Sequence, residues 1–112
     1  MQTLIHVRPV NAWKIYDPVG VWIGNIDTVM LDATSGAARF AYASFFDIPA
    51  KQIVLPWRAV MFNRLRGVFF TPVTVLRMLE APDIANEASA EDVERLLLAY
   101  YGENISSATQ LG

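Results

Sequence analysis

The chain contains no cysteine and a single histidine, His6. The first absence removes disulfides, thiolate metal sites and cysteine nucleophiles. The second leaves a Ser-His-Asp triad or a paired-imidazole metal site only one residue of an N-terminal arm to build on. Long apolar runs are missing as well. None approaches the roughly 18 residues of a membrane-spanning helix, because Arg, Asp or Pro interrupts each candidate. The segment Met1 to Pro9 lacks the charged and then apolar stretches of a secretory signal, which predicts a cytoplasmic protein. Gly20 and Gly24 are followed by no Gly-Lys-Ser/Thr, so there is no phosphate loop. Asp27 and Asp32 are the one close carboxylate pair apart from the acidic tail, but their spacing puts them on opposite faces of a regular strand, which disfavours shared acid-base work. These residues predict no catalytic group, no metal site and no cofactor.

Apolar residues, by contrast, make up 54% of the 112 positions, and the mean hydropathy is positive. That is high for a small domain, and it predicts that some apolar surface is covered by a protein partner or a second copy. The net charge of -2 hides an asymmetry along the chain. Ile48 to Leu79 holds Lys51, Arg58, Arg64, Arg66 and Arg77 and no acid, whereas Glu80 to Glu103 holds seven acids against Arg95 alone. The split predicts an acidic tail lying on or near the basic segment, in its own chain or a neighbour's.

Local patterns give the elements. Met1 to Val10 reads as an edge strand or arm, and Ala12 to Tyr16 as a strand that Asp17-Pro18-Val19-Gly20 reverses into the next. That next strand, Val21 to Leu31, is apolar on both parities, which fits either a strand that switches its buried side at a bulge near Asn25 to Thr28 or an apolar dimer face. Asp32 to Gly36 makes a hairpin, with Gly36 where a positive φ is needed. Its return arm is Ala37 to Ser44. A compact aromatic loop follows from Phe45 to Lys51, and a strand from Gln52 ends at Pro56-Trp57. Val60 to Phe62 and Gly67 to Thr71 form a last hairpin across Asn63 to Arg66. Thr74 to Leu79 is a short helix with Leu76 and Leu79 on one face. Ser89 caps an amphipathic helix whose stripe is Ala90, Val93, Leu96, Leu97, Tyr100 and Tyr101, with Gly102 as its stop.

Gly24-x-Ile26-Asp27-x with the three apolar residues Val29, Met30 and Leu31 and then Asp32, followed by Gly36, a Tyr42-Ala43 strand and an apolar run into Pro56-Trp57, resembles the PRC-barrel domain. The resemblance spans about Ala12 to Asp83. It implies a mainly β protein: a small, partly open, mostly antiparallel β-barrel of about six strands, with a short helix and a C-terminal amphipathic helix. Residues 1–11 would be an arm, 12–83 the barrel and 84–112 the helix and a frayed tail. Members of that family act by contact, in a photosynthetic reaction-centre subunit and in a ribosome-maturation factor, so the resemblance implies an adaptor without catalytic residues.

The expected core is Ile26, Val29, Leu31, Phe40, Tyr42, Val54, Trp57, Phe62 and Phe70, with Trp57 plugging the barrel end. Candidate interaction residues are Phe45, Phe46, Lys51, Arg58, Arg64 and Arg66, together with the helix stripe from Val93 through Leu96 and Leu97 to Tyr100 and Tyr101. Two adjacent phenylalanines cannot both point inward, so one of Phe45 and Phe46 is expected to be exposed. The stripe is expected to cross onto a second copy in a homodimer, placing helix acids against the partner's arginines; folding back on its own barrel is the alternative. Cations interleaved with Trp57, Phe62 and Phe69 also suggest RNA, a weaker reading in a chain that is acidic overall.

Overall fold

The computed structural model describes residues 4–9, 13–81 and 89–111; for residue 90 and residues 106–111 it describes the backbone alone. The predicted strand start at Ala12, the Pro82-Asp83 close of the family pattern and the acids Asp83 and Glu87 lie outside the described residues. Seven strands form one mixed sheet: β1 (Leu4–Val7), β2 (Trp13–Tyr16), β3 (Trp22–Asp32), β4 (Ala38–Phe45), β5 (Ile48–Pro56), β6 (Met61–Asn63) and β7 (Val68–Phe70). Two helices follow, α1 (Val75–Leu79) and α2 (Ala90–Leu111).

β3 is the hub, pairing with β1, β2 and β4. Ile26 faces Ala43 but Thr28 faces Tyr42, so Asp27 is an extra residue in the strand. Residues directly opposite one another project from the same face. Ile26 and Val29, opposite Ala43 and Ala41, therefore share a face although one is even and one odd. This is the switch that the apolar residues on both parities predicted. Met30 and Phe40, paired on the other face, are buried too, so both faces of the sheet are covered here.

In the order β5-β4-β3-β2-β7-β6 the sheet is mostly antiparallel, as expected, and two features bear on the barrel that the resemblance implies. One pairing, β2 with β7, is parallel. And the sheet is not closed: its outermost strands, β5 and β6, are joined by a single helical turn at Trp57–Ala59 without pairing among the described residues. Where the chain ends its ladder at Pro56, Trp57 comes out half-buried against Phe69 instead of plugging an end. Phe62 is exposed and Phe70 only half-buried, so neither belongs to the core. The largest fully buried side chains are instead Tyr101 and Phe45.

Side-chain carboxylates close two of the turns. Asp17 Oδ1 accepts the N–H groups of Val19 and Val21 at 3.0 and 2.9 Å. Asp32 Oδ1 accepts those of Thr34 and Ser35 at 2.8 and 3.3 Å, and Gly36 follows with the positive φ, 75°, that its position required. Thr74 caps α1, its hydroxyl accepting the Arg77 N–H at 3.2 Å. Leu76 and Leu79 share one face of α1 as expected, but that face is exposed and the buried residue is Met78. Ser89 caps α2 as predicted, with Oγ accepting the Asp92 N–H at 3.1 Å. The predicted stop fails: Gly102 is not among the glycines with positive φ, and the helix runs on to Leu111.

α2 packs on β5 and the Trp57–Ala59 turn of its own chain, burying Leu97 and Tyr101, with Val93, Leu96, Tyr100 and Ile105 against the same core. The stripe expected on a second copy is thus used within the chain. A closed barrel filled by its own side chains would have no room for it; an open sheet needs a cover, and α2 provides one.

Candidate interaction surface

The charges of α2 meet a residue that the sequence did not single out. Arg39, on β4, bridges Asp32 at 2.9 Å and Glu94 of α2 at 3.2 Å, while Arg95 pairs with Asp92 at 2.7 Å along the helix. Within the chain, no ion pair among the described residues joins a helix acid to Arg58, Arg64 or Arg66, the own-chain arrangement that the charge split allowed. Arg77 is taken up in holding α1 to α2: it donates to the Tyr100 carbonyl at 2.6 Å, lies 3.9 Å from that ring's centre, and offers its own carbonyl to the Tyr100 hydroxyl at 2.7 Å. Arg66 lies over the Tyr16 ring at 5.9 Å. Lys51, Arg58 and Arg64 are exposed and make no ion pair or side-chain hydrogen bond among the described residues.

The Arg39 bridge carries a pH signature. The N–H groups of Thr34 and Ser35, with the Arg39 guanidinium beside them, hold the Asp32 carboxyl below its ordinary value. Because the folded value is the lower one, the stability Asp32 contributes is complete above the unfolded carboxylate's pKa of about 4 and is lost as pH falls through the folded one. Urea midpoints measured from pH 7 downward are expected to fall on the acid side, with a shallower fall in Asp32→Asn. An identical acid slope in that variant would assign the pH dependence to other carboxylates.

The exposed aromatics fall into two groups. In the first, Trp13 is paired with Ile26, Ile15 with both Gly24 and Phe69, and Phe69 with Phe62. By cross-strand pairing, Trp13, Phe69 and Phe62 stand on the same face as Ile15 and Ile26, which are fully buried. Yet Trp13 is 39% and Phe62 52% exposed. Phe69 is the centre of this group, with the rings of Trp13 and Phe62 at 5.2 Å and Trp57 at 6.2 Å. The core face of the sheet therefore runs out to solvent at the β6–β7 margin, with Arg58 and Arg64 just before and just after β6.

The second group is Trp22 and Phe46, edge-to-face at 5.0 Å, with Lys14 Nζ 4.5 Å above the indole. Phe46 is the exposed member of its pair, while Phe45 ends β4 inside the core. Of the other candidate residues, Lys51 sits on the outer strand β5, two residues after the exposed Pro49; together they protect that edge against pairing with another chain. Trp13, Trp22 and Arg39 were missed, while Phe69 was singled out only among the aromatics interleaved with cations. Phe69-Phe70 carried the same signal as Phe45-Phe46, two adjacent rings of which one must face away. Nothing local pointed to Arg39.

A scan against models of known protein families finds no match, and no curated protein matches the chain. Among the described residues no cluster of three His, Asp or Glu side chains is placed to hold a metal ion. No helix among them is long and apolar enough to cross a membrane.

Proposed function

We propose that this chain is a non-catalytic interaction domain of the cytoplasm, of PRC-barrel type, that associates with a protein partner, a second copy first of all. The observation that carries the reading is the exposed part of the core face, Trp13 and Phe62 about the half-buried Phe69, with Arg58 at its edge. Buried aromatics flanked by arginine are the usual anchors of protein contacts. The barrel-type assignment is supported by the bulged β3, by β5 ending at Pro56, and by the single turn that joins the two outermost strands.

Sedimentation velocity tests the self-association. The wild-type chain is expected to sediment as a dimer and Phe62→Glu as a monomer with an unchanged melting temperature, since Phe62 is half exposed already. The loss corresponds to 2 kcal/mol or more, about thirtyfold in affinity. A wild-type monomer would remove the second copy from the reading, and a dimeric Phe62→Glu would remove this face.

One observation favours RNA as a second reading: Asp92 and Glu94 of α2 pair with Arg95 and Arg39, and among the described residues Arg58 and Arg64 make no ion pair beside the exposed rings. Binding to bulk RNA that weakens steeply with salt supports it; no binding at low salt removes it.

A further inference from the structure

Among the described residues the most exposed large apolar side chain is Leu65, at 99%, in the turn between β6 and β7. A scattered exposed leucine is ordinary. This one is held out by a firmly built turn: Asn63 Oδ1 accepts the N–H groups of Leu65 and Arg66, both at 3.1 Å, and Asn63 O accepts that of Gly67 at 2.8 Å. Gly67 closes the turn with a φ of 67°. Leu65 thus projects between two exposed arginines, Arg64 and Arg66, and Arg64 has no ion-pair partner among the described residues. Asp17 lines one recess with Asn63 and Arg66, and its carboxylate is occupied by the N–H groups of Val19 and Val21. At the base of the same hairpin stand the half-exposed rings of Phe62 and Trp13.

We propose that the Asn63–Gly67 turn is a membrane-contact tip that docks this chain on a bilayer containing anionic phospholipid. The chemistry of each residue fits a different depth of that surface. A leucine on a convex tip enters the boundary between headgroups and acyl chains, arginines on either side bind lipid phosphates, and aromatic rings below suit the interfacial layer. A nucleic acid would take the two arginines but gain nothing from Leu65. A protein would have to bring a pocket shaped for the tip, whereas a fluid bilayer deforms around it. The acids of α2 are repelled by an anionic surface, which sets the orientation. The inference does not rest on the dimer reading, because Leu65 and Arg64 are outside the aromatic contact.

The test is co-sedimentation of the full chain with vesicles of phosphatidylcholine alone and of phosphatidylcholine mixed with phosphatidylserine. Binding is expected to the mixed vesicles only and to weaken with salt. Leu65→Ser is expected to lower the partition coefficient about tenfold, the factor for withdrawing one leucine from an apolar medium. Arg64→Glu should lower it about tenfold as well, while Lys51→Glu, the same charge change on β5, should leave it unchanged. Melting temperatures confirm that each exposed-site variant is folded. No binding to mixed vesicles, full binding by Leu65→Ser, or an equal loss in Lys51→Glu would each overturn the proposal. So would binding to polyuridylate that Arg64→Glu abolishes when no variant alters vesicle binding.

Discussion

Tyr101→Ala is expected to lose about 3–5 kcal/mol, a large fraction of the stability of a domain of this size, whereas Tyr101→Phe is expected to gain about 1 kcal/mol. The two opposite signs come from one side chain. Tyr101 is fully buried where α2 covers the sheet, so truncating it removes a large ring and leaves a cavity between helix and core. Its hydroxyl has no hydrogen-bond partner among the described residues, and burial pushes its pKa up to about 12. An unsatisfied buried hydroxyl carries its full desolvation cost, which phenylalanine removes without changing the shape of the ring. Urea denaturation of the two variants beside the wild type measures both effects. If Tyr101→Phe melts earlier than the wild type, the hydroxyl has a partner and its role is structural. If Tyr101→Ala is as stable as the wild type, α2 does not close the core.

Gly24→Ala is expected to cost about 3 kcal/mol, the upper end of what an extra methyl group costs in a packed interior. A β-carbon at this position would stand 2.3 Å from the Ser44 carbonyl oxygen, 2.8 Å from Phe45 Cδ1 and 3.0 Å from Phe45 Cα. Two of those atoms belong to the backbone of β4, so relief requires the strands to separate at the pair Gly24–Phe45, which anchors one of the largest core residues. Gly36→Ala is the contrast. Its surroundings are open and its φ is 75°, so only backbone strain opposes a side chain, and the loss should be about 1–2 kcal/mol. Thermal melts of the pair decide the matter. Equal losses would mean that β4 yields at Gly24 and that the close approach is not what demands glycine there.

What could be read from the sequence was whatever neighbours in the chain decide. Asp17, Asp32, Gly36, Thr74 and Ser89 act within four residues of themselves, and each does in the structure what its chemistry implies. The bulge at Asp27 was legible because a change of buried parity leaves its mark in the pattern of apolar residues. Packing against distant elements was not legible. Whether Leu76 or Met78 faces inward depends on where β5 lies, and whether Gly102 stops a helix depends on what rewards its continuation. Arg39 meets Glu94 across 55 residues, with no periodicity to announce it. The exposed aromatic face was partly visible, through Phe62 and Phe69 in a predicted hairpin, but Trp13 joins it only because β2 and β7 run side by side in the same direction.

That parallel pairing is small: two residue pairs, Ile15–Phe69 and Tyr16–Phe70, attach the β6–β7 hairpin to the rest of the sheet. The strands from β2 to β5 meet sequence neighbours across short turns and can assemble early, while β7 must close a long loop to find β2. The same economy of contacts governs the folded state. With so few pairs holding it, the β6–β7 hairpin is expected to open locally while the bulged hub stays intact, at less cost than global unfolding. Phe62 and Leu65 ride on this detachable piece, so a surface or partner that grips them also latches the hairpin shut, and occupancy and cooperativity of folding rise together.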